Sequence, residues 1–361
     1  MKNAPAKHGH PLLATNLLVI VALLVAACTG APPATPTPAA TPGEQPTQQP
    51  ASEPPGDEIG PPETTSLSLG VRTGNIGSVA PLYIAIDKGY YEEDGLELEV
   101  IITDQVQEGL VGGSLQLGIF DPDALAESFA QGVPVVMFAG NRQREPLIIA
   151  AGAGIESVED LEGRDVALGL GPGDPATTFR QAALSEAGWD LETVSVNYVN
   201  PPGGSDARAE LLWGGQIALT YVFPRHKPQT IEEGGQLVVD DYLDPLLNDA
   251  FITTTSFLEA NPNTITRFIR ATIRGKQIFA DMANKDEVLD IMARAGFEVG
   301  DREHEQYEAD PPQHDIDMAI PQEGYENLME LSGIEDPPGY DELTDLTHLH
   351  AAQRSLGLPE R

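Results

Sequence analysis

Residues 66–100, SLSLGVRTGNIGSVAPLYIAIDKGYYEEDGLELEV, constrain the fold more than any other part of the chain. Ser66–Val71 alternates polar and apolar side chains, the period of a half-buried strand. Gly74, Asn75, Gly77 and Ser78 then interrupt that period with small, turn-forming residues. From Ala80 to Tyr91 apolar residues recur at helical spacing (Leu82, Tyr83, Ile86, Tyr90), with Pro81 in a first turn, where proline is tolerated. Asp87-Lys88-Gly89 and Glu92-Glu93-Asp94-Gly95 end the helix and turn the chain into a second strand over 96–102. A strand, a crossover helix and a strand of these lengths make a parallel βαβ unit.

The same rhythm continues. Residues 104–113 read as a short helix, 114–120 as a strand, 124–131 as a helix, and 133–138 and 147–151 as apolar strands. It restarts with a capped turn at 157–161, a strand at 165–170, a helix at 174–187 and a strand at 194–199. A helix at 205–213 and strands at 217–222 and 236–240 follow. Beyond residue 257 no β pattern returns. An amphipathic helix at 263–282 precedes helices at 287–295 and 325–331, the last two separated by the acidic, proline-broken stretch 300–322. Alternation of this kind predicts an α/β fold of two lobes, each a mostly parallel sheet flanked by helices, with a helical C-terminal section. EGLVGGSLQLGIFDPDAL and ELLWGGQIALTYVFPRHK share one form, a helix end, Gly-Gly, a strand and a proline-marked turn, which supports two related lobes.

The N-terminus carries a different signal. Lys2 and Lys7 precede an apolar run whose uninterrupted part, 17–27, is about half the ~20 residues a membrane span needs, so it reads as a signal peptide, residues 1–27. Its end, Leu24-Val25-Ala26-Ala27-Cys28, resembles a bacterial lipobox, which implies a diacylated Cys28 and a membrane anchor. Cys28 is the one cysteine of the 361 residues, so no disulfide forms within a chain. Residues 28–65 are rich in Pro, Thr, Ala, Gln and Glu and read as a disordered tether. Twenty basic against 56 acidic side chains leave a net charge of −36, which repels nucleic acid.

APLYIAIDKGYYEEDGLELEV, at 80–100, closely resembles the opening of substrate-binding proteins of ABC importers, in the group that handles aliphatic sulfonates, nitrate, thiamine-pyrimidine precursors and riboflavin. The resemblance implies a periplasmic-binding-protein-like (type II) fold in which C-terminal helices pack back on the first lobe. The lobes are then 66–151 with 250–361, and 152–249, with crossings near 149–154 and 243–253. It also implies a monomer that hands a small molecule to a permease with a cytoplasmic ATPase, and no cofactor.

In open α/β sheets ligands bind beyond the carboxyl ends of the strands. That rule names Asn75, Ser78 and Tyr83 after the first strand, Phe120, Asp121 and Asp123 after the third, and Asn141, Arg142 and Gln143 after the fourth. The second lobe adds Gly171, Gly173 and Asp174, then Tyr198 and Asn200, then Tyr221 and Phe223, and Asp241 and Tyr242. The glycine-rich turn lacks the Gly-Lys-Ser/Thr of a phosphate loop, and Asp174 is placed to cap the following helix itself. Aromatic and neutral polar residues predominate in this set, and carboxylates outnumber cations, with Arg142 and Arg225 the exceptions. That balance favours a flat heteroaromatic ligand, riboflavin first and a pyrimidine precursor second, over a sulfonate or nitrate. No catalytic constellation stands out, and His348-x-His350 lacks the partners of a metal site.

Overall fold

A computed structural model describes residues 59–361 apart from Thr73 and Gly203. The signal segment, Cys28 and most of the spacer lie outside the described residues. Among the described residues ten strands form two five-stranded sheets. The first sheet has the order β2-β1-β3-β10-β4, from β1 (Ser66–Val71), β2 (Glu97–Ile102), β3 (Leu117–Phe120), β4 (Val135–Arg142) and β10 (Asp249–Thr254). The second has the order β7-β6-β8-β5-β9, from β5 (Glu145–Ala151), β6 (Asp165–Ala167), β7 (Asn197–Tyr198), β8 (Leu219–Val222) and β9 (Gln236–Leu243).

The two orders are the same pattern. In each sheet two pairings are parallel (β1 with β2 and β3; β6 with β7 and β8). In each, the strand arriving from the other lobe, β10 or β5, inserts antiparallel at the fourth place. The Gly-Gly echo falls on β3 and β8, which hold equivalent places.

Two boundaries differ from the sequence reading. The strand at 147–151 belongs to the second sheet, so the first crossing is at Gln143-Arg144 and not at 149–154. Within 243–253, read as a connection, lies β10, because its apolar residues are buried on both faces and carry no alternation to mark them. Strand β5 shows the two-faced burial directly. Leu147, Ile149 and Ala151 enter one apolar cluster, while Ile148 and Ala150 enter the other. Both faces of the first sheet are likewise covered, one by the helices Ile76–Asp87 and Pro262–Ala280, the other by Pro122–Ala130 and by Gln322–Ser332 of the C-terminal section.

The first helix begins earlier than its apolar period suggests. Asn75 caps it, accepting the Ser78 amide at 2.8 Å, and Pro81 sits at its sixth position. A mid-helix proline removes the donor for the carbonyl four residues back. That carbonyl, Gly77 O, is met instead by His314 Nε2 at 2.7 Å. On the next turn the Pro81 carbonyl faces Gly275 of the long helix, where a Cβ would stand 2.1 Å from the oxygen, so only glycine permits this crossing.

Residues 59–65, placed in the spacer by composition, are docked. Arg267 donates to the carbonyls of Ile59 and Gly60, at 2.9 and 2.8 Å. Asn261, at the N-cap of the long helix, makes no side-chain cap. Glu63 supplies it, accepting the amides of Asn263 and Thr264 at 3.2 and 2.9 Å. Burial raises the Glu63 pKa, and these N–H bonds more than reverse it, leaving the group ionised below the ordinary carboxylate range.

Candidate functional site

The carboxyl ends of β1, β3 and β4 and those of β6 and β8 point toward the junction of the two lobes, where β5 starts and β9 ends. The two crossings run side by side. The Leu246 amide donates to Gln143 O at 3.0 Å, and the Asn248 amide to Arg142 O at 2.9 Å. Arg144 joins both crossings to the C-terminal section, through Asp244 and Asp315, each at 2.8 Å. Buried Gln143 bonds to Gln313, Asp315 and Ala319. The acidic, proline-broken stretch 300–322 is therefore sewn along the hinge.

Beneath the hinge lies a buried polar network. Arg142 holds Asp249 through Nε at 2.9 Å and Nη2 at 2.7 Å. Burial draws the Arg142 pKa down, and Asp249 more than offsets it. Fully buried Lys276 donates to Asn141 O and to His314 Nδ1, the latter at 2.9 Å. Because Gly77 O only accepts, the His314 proton is on Nε2 and Nδ1 is the acceptor. Burial pulls Lys276 down to about 7 and His314 well below its usual value, the Lys276 charge adding to the latter. Asn141 donates to Ser78 O at 3.1 Å, and its Oδ1 is buried without a partner.

Above the hinge is a cavity of about 170 Å³. One wall is Glu145 to Ile148 of β5, another Phe179 and Arg180 of the helix Pro175–Glu186, a third Tyr221 to Phe223 at the end of β8. Leu331 and Ser332 of the helix Gln322–Ser332 close it, while Tyr325 and Met329 of that helix pack into the first lobe beside Leu125. An adjoining pocket of about 600 Å³ shares Phe179, Leu243, Leu246 and Leu331, and extends to Gly173, Asp244 and Asn327.

Tyr221 is held between two guanidinium groups, Arg180 at 3.7 Å and Arg208 at 3.8 Å from its ring centre. Two planar cations that close cannot share one face, so they stack on opposite faces. Among the described residues neither arginine lies within ion-pair distance of a carboxylate. Arg180 makes one hydrogen bond, to Leu168 O at 2.7 Å, and Arg208 Nε is buried without one. Burial presses both pKa values below the ordinary arginine value. Glu145, on the same cavity wall as Arg180, accepts from Asn248 Nδ2 at 2.9 Å. Its pKa is raised by burial, against the pull of Arg142 and Arg180.

The structure distributes the sequence-derived candidates among several roles. Tyr221 and Phe223 line the smaller cavity and Gly173 the larger. Asn141, Arg142 and Ser78 belong to the hinge network, and Asn75 is a helix cap. Asp174 caps the helix Pro175–Glu186, accepting the Thr177 amide at 2.9 Å. Asp121 pairs with Arg72, whose guanidinium lies 5.9 Å from the Phe120 ring centre. Asp123 accepts from Ser332 at 3.1 Å, joining the third-strand loop to the closing helix. Tyr198 bonds Gln181, and the Tyr242 hydroxyl donates to Ala309 O at 3.3 Å. Asn200 and Asp241 are exposed. Tyr83 lies away from both cavities, edge-on to Phe297 at 5.2 Å in the first-lobe core, because it is two turns into its helix and not at the start.

One inference from composition is corrected: cations are not scarce at the junction. Arg180 and Arg208 were missed because both sit inside helices, Pro175–Glu186 and Gly204–Trp213, and not in the loops the strand-end rule points to. Nor does Tyr221 offer a free face, since the two arginines cover it. Among the described residues no group of three or more His, Cys, Asp or Glu is arranged to hold a metal ion.

Two α/β lobes that each receive an antiparallel strand from across the junction, two side-by-side antiparallel crossings and a cavity at their junction define the type II binding-protein fold. A family model described as NMT1/THI5 like matches residues 77–284, more than half of the chain, and the chain belongs to that family. It is 26% identical over 224 residues to the formylaminopyrimidine-binding protein of Halalkalibacterium halodurans, covering 58% of this chain and 64% of that one. It is also 26% identical over 225 residues to the riboflavin-binding protein RibY of Chloroflexus aurantiacus, covering 59% and 61%. The chain thus spans less than two thirds of the length of either relative. The solved ligand-binding component of an ABC-type import system from Staphylococcus aureus aligns over 81% of this chain and 100% of its own, with a TM-score of 0.57 at 13% identity, a likeness of fold.

Proposed function

We propose that this protein is the substrate-binding component of an ABC importer. It captures a small molecule between its lobes and delivers it to a permease driven by a cytoplasmic ATPase. The carrying observation is the cavity at the lobe junction, walled by the second lobe and closed by a helix rooted in the first. A ligand touching both lobes favours the closed arrangement by its differential affinity, and a hinge of two hydrogen-bonded crossings lets the lobes rotate as units. The protein works as a monomer on the outer side of the membrane, tethered by a diacylated Cys28, and it turns nothing over.

The ligand carries a flat heteroaromatic ring. The smaller cavity, about 170 Å³ and open to the adjoining pocket, is close in volume to the ~150 Å³ that holds benzene in an engineered cavity, so it suits one ring. That favours a pyrimidine over the three rings of riboflavin, reversing the order that composition suggested. Riboflavin would need the adjoining pocket as well. An aliphatic sulfonate or nitrate is the second reading, favoured by the unpaired Arg180.

A thermal-shift screen of the purified protein against pyrimidines, riboflavin, taurine and nitrate tests this, because a ligand bound only by the folded state raises the melting temperature. Stabilisation by pyrimidines is the expected result. Stabilisation by taurine or nitrate alone would replace the ring with the second reading. Catalytic consumption of a stabilising compound would overturn the transport role.

A further inference from the structure

The geometry points to the Arg180–Tyr221–Arg208 stack as the element that selects a ring compound bearing an acidic oxygen group, a carboxylate, sulfonate or phosphate. This rests on the proposed capture of a ring ligand and adds its charge. The stack lies at the end of β8, and Arg180 and Tyr221 both line the cavity.

Three observations converge. First, the chain has 56 acidic and 20 basic side chains, so an arginine near a carboxylate is the ordinary outcome. Arg142, Arg144 and Arg225 are each paired with an aspartate. Arg180 and Arg208 are not, although Arg208 is only 8% exposed. Second, a buried guanidinium with unmet donors is costly to keep, and Arg208 Nε is such a donor. Tyr221 partly offsets this for both by presenting its ring faces, and so holds Arg180 flat beside the cavity with most of its N–H groups unbonded. Guanidinium N–H groups in a fixed plane match the two oxygens of a carboxylate or phosphate. Third, Arg180 meets a single carboxylate in the cavity wall, Glu145. Asp249 neutralises Arg142, and Asp174 reaches Arg180 only from its place as a helix cap. Burial favours the proton on Glu145, which removes even that charge over part of the pH range.

The other walls decide against a bare anion. Pro146, Leu147, Phe179, Leu243 and Leu331 are apolar, and a small hydrated ion gains nothing from them. A ring fills that space and its acidic substituent meets Arg180. Arg208, behind Tyr221, positions the stack.

Isothermal titration of the purified protein with uracil, orotate (the same ring bearing a carboxylate) and sodium sulfate tests the assignment. Orotate is expected to bind at least tenfold more tightly than uracil, with an affinity that falls between 50 and 500 mM salt while that of uracil holds. Arg180→Gln should weaken orotate at least tenfold and leave uracil within twofold, and Arg180→Lys should recover part of the loss. Arg208→Gln should weaken orotate less than Arg180→Gln does. Circular dichroism and melting curves of each variant separate a lost contact from a lost fold. Equal binding of uracil and orotate, or an Arg180→Gln variant that folds and binds orotate normally, overturns the inference and leaves ring capture standing. Sulfate binding as tightly as orotate overturns the ring requirement. If neither uracil nor orotate binds, both readings fall.

Discussion

His314 Nε2 donates to the carbonyl of Gly77 at 2.7 Å, the carbonyl whose helical partner is missing because residue 81 is proline. A local fault in the first helix is thus repaired by a side chain 237 positions away. The repair brings Lys276, Asn141 and the hinge with it.

His314→Ala should therefore destabilise the protein by about 1–3 kcal/mol, since it leaves buried Gly77 O and the Lys276 ammonium each one partner short. Replacing Pro81 with alanine restores an amide that can reach Gly77 O. In that background the loss from His314→Ala should shrink by about 1 kcal/mol. Urea unfolding of the four members of the cycle measures the coupling. Additive losses would mean that the carbonyl is served some other way.

Asp310 makes the fold sensitive to pH. Burial holds its carboxyl at about 6, a rise that Gln306, Arg142 and Gln313 only moderate. The folded state keeps this proton to a higher pH than the unfolded chain, where aspartate loses it near ~3.9. Its contribution is complete below about pH 4 and is lost as pH rises through 6. Asp310→Asn should match the parent near pH 4 and become the more stable protein by pH 7, by a difference on the order of 3 kcal/mol. Melting curves in steps of pH check it. A constant difference would assign the effect to packing.

The docked N-terminal residues are tested by Glu63→Ala. Removing the cap from the amides of Asn263 and Thr264 should cost about 1 kcal/mol. Protection of those amides in hydrogen exchange should fall first.

Leu331 faces both cavities from the closing helix. Leu331→Trp should fill the smaller one and lower ligand affinity at least tenfold, with the melting temperature of the ligand-free protein little changed. Unaltered affinity would move the binding site elsewhere.

Much of the fold was legible along the chain. The βα rhythm, the cap at Asp174 and the Gly-Gly echo at β3 and β8 each depend on residues adjacent in sequence. What stayed hidden has one cause, partners far apart in the chain. Strand β10 has no alternation because both its faces are buried, and β5 gives no local sign of which sheet it joins. Residues 59–65 look like spacer until the long helix, some 200 residues on, takes Glu63 as its cap.

The sequence by itself determined the two-lobed α/β class, the family likeness carried by residues 80–100, and the strand ends around which polar and aromatic residues gather. Only the tertiary structure decided which of them face a cavity. It placed Tyr83 in a core and Asn75 on a helix end, and it brought Arg180 and Arg208, from two separate helices, onto the faces of Tyr221. Periodicity reports which side of an element is buried. Charge complementarity depends on what lies across a gap, and only folding sets that distance.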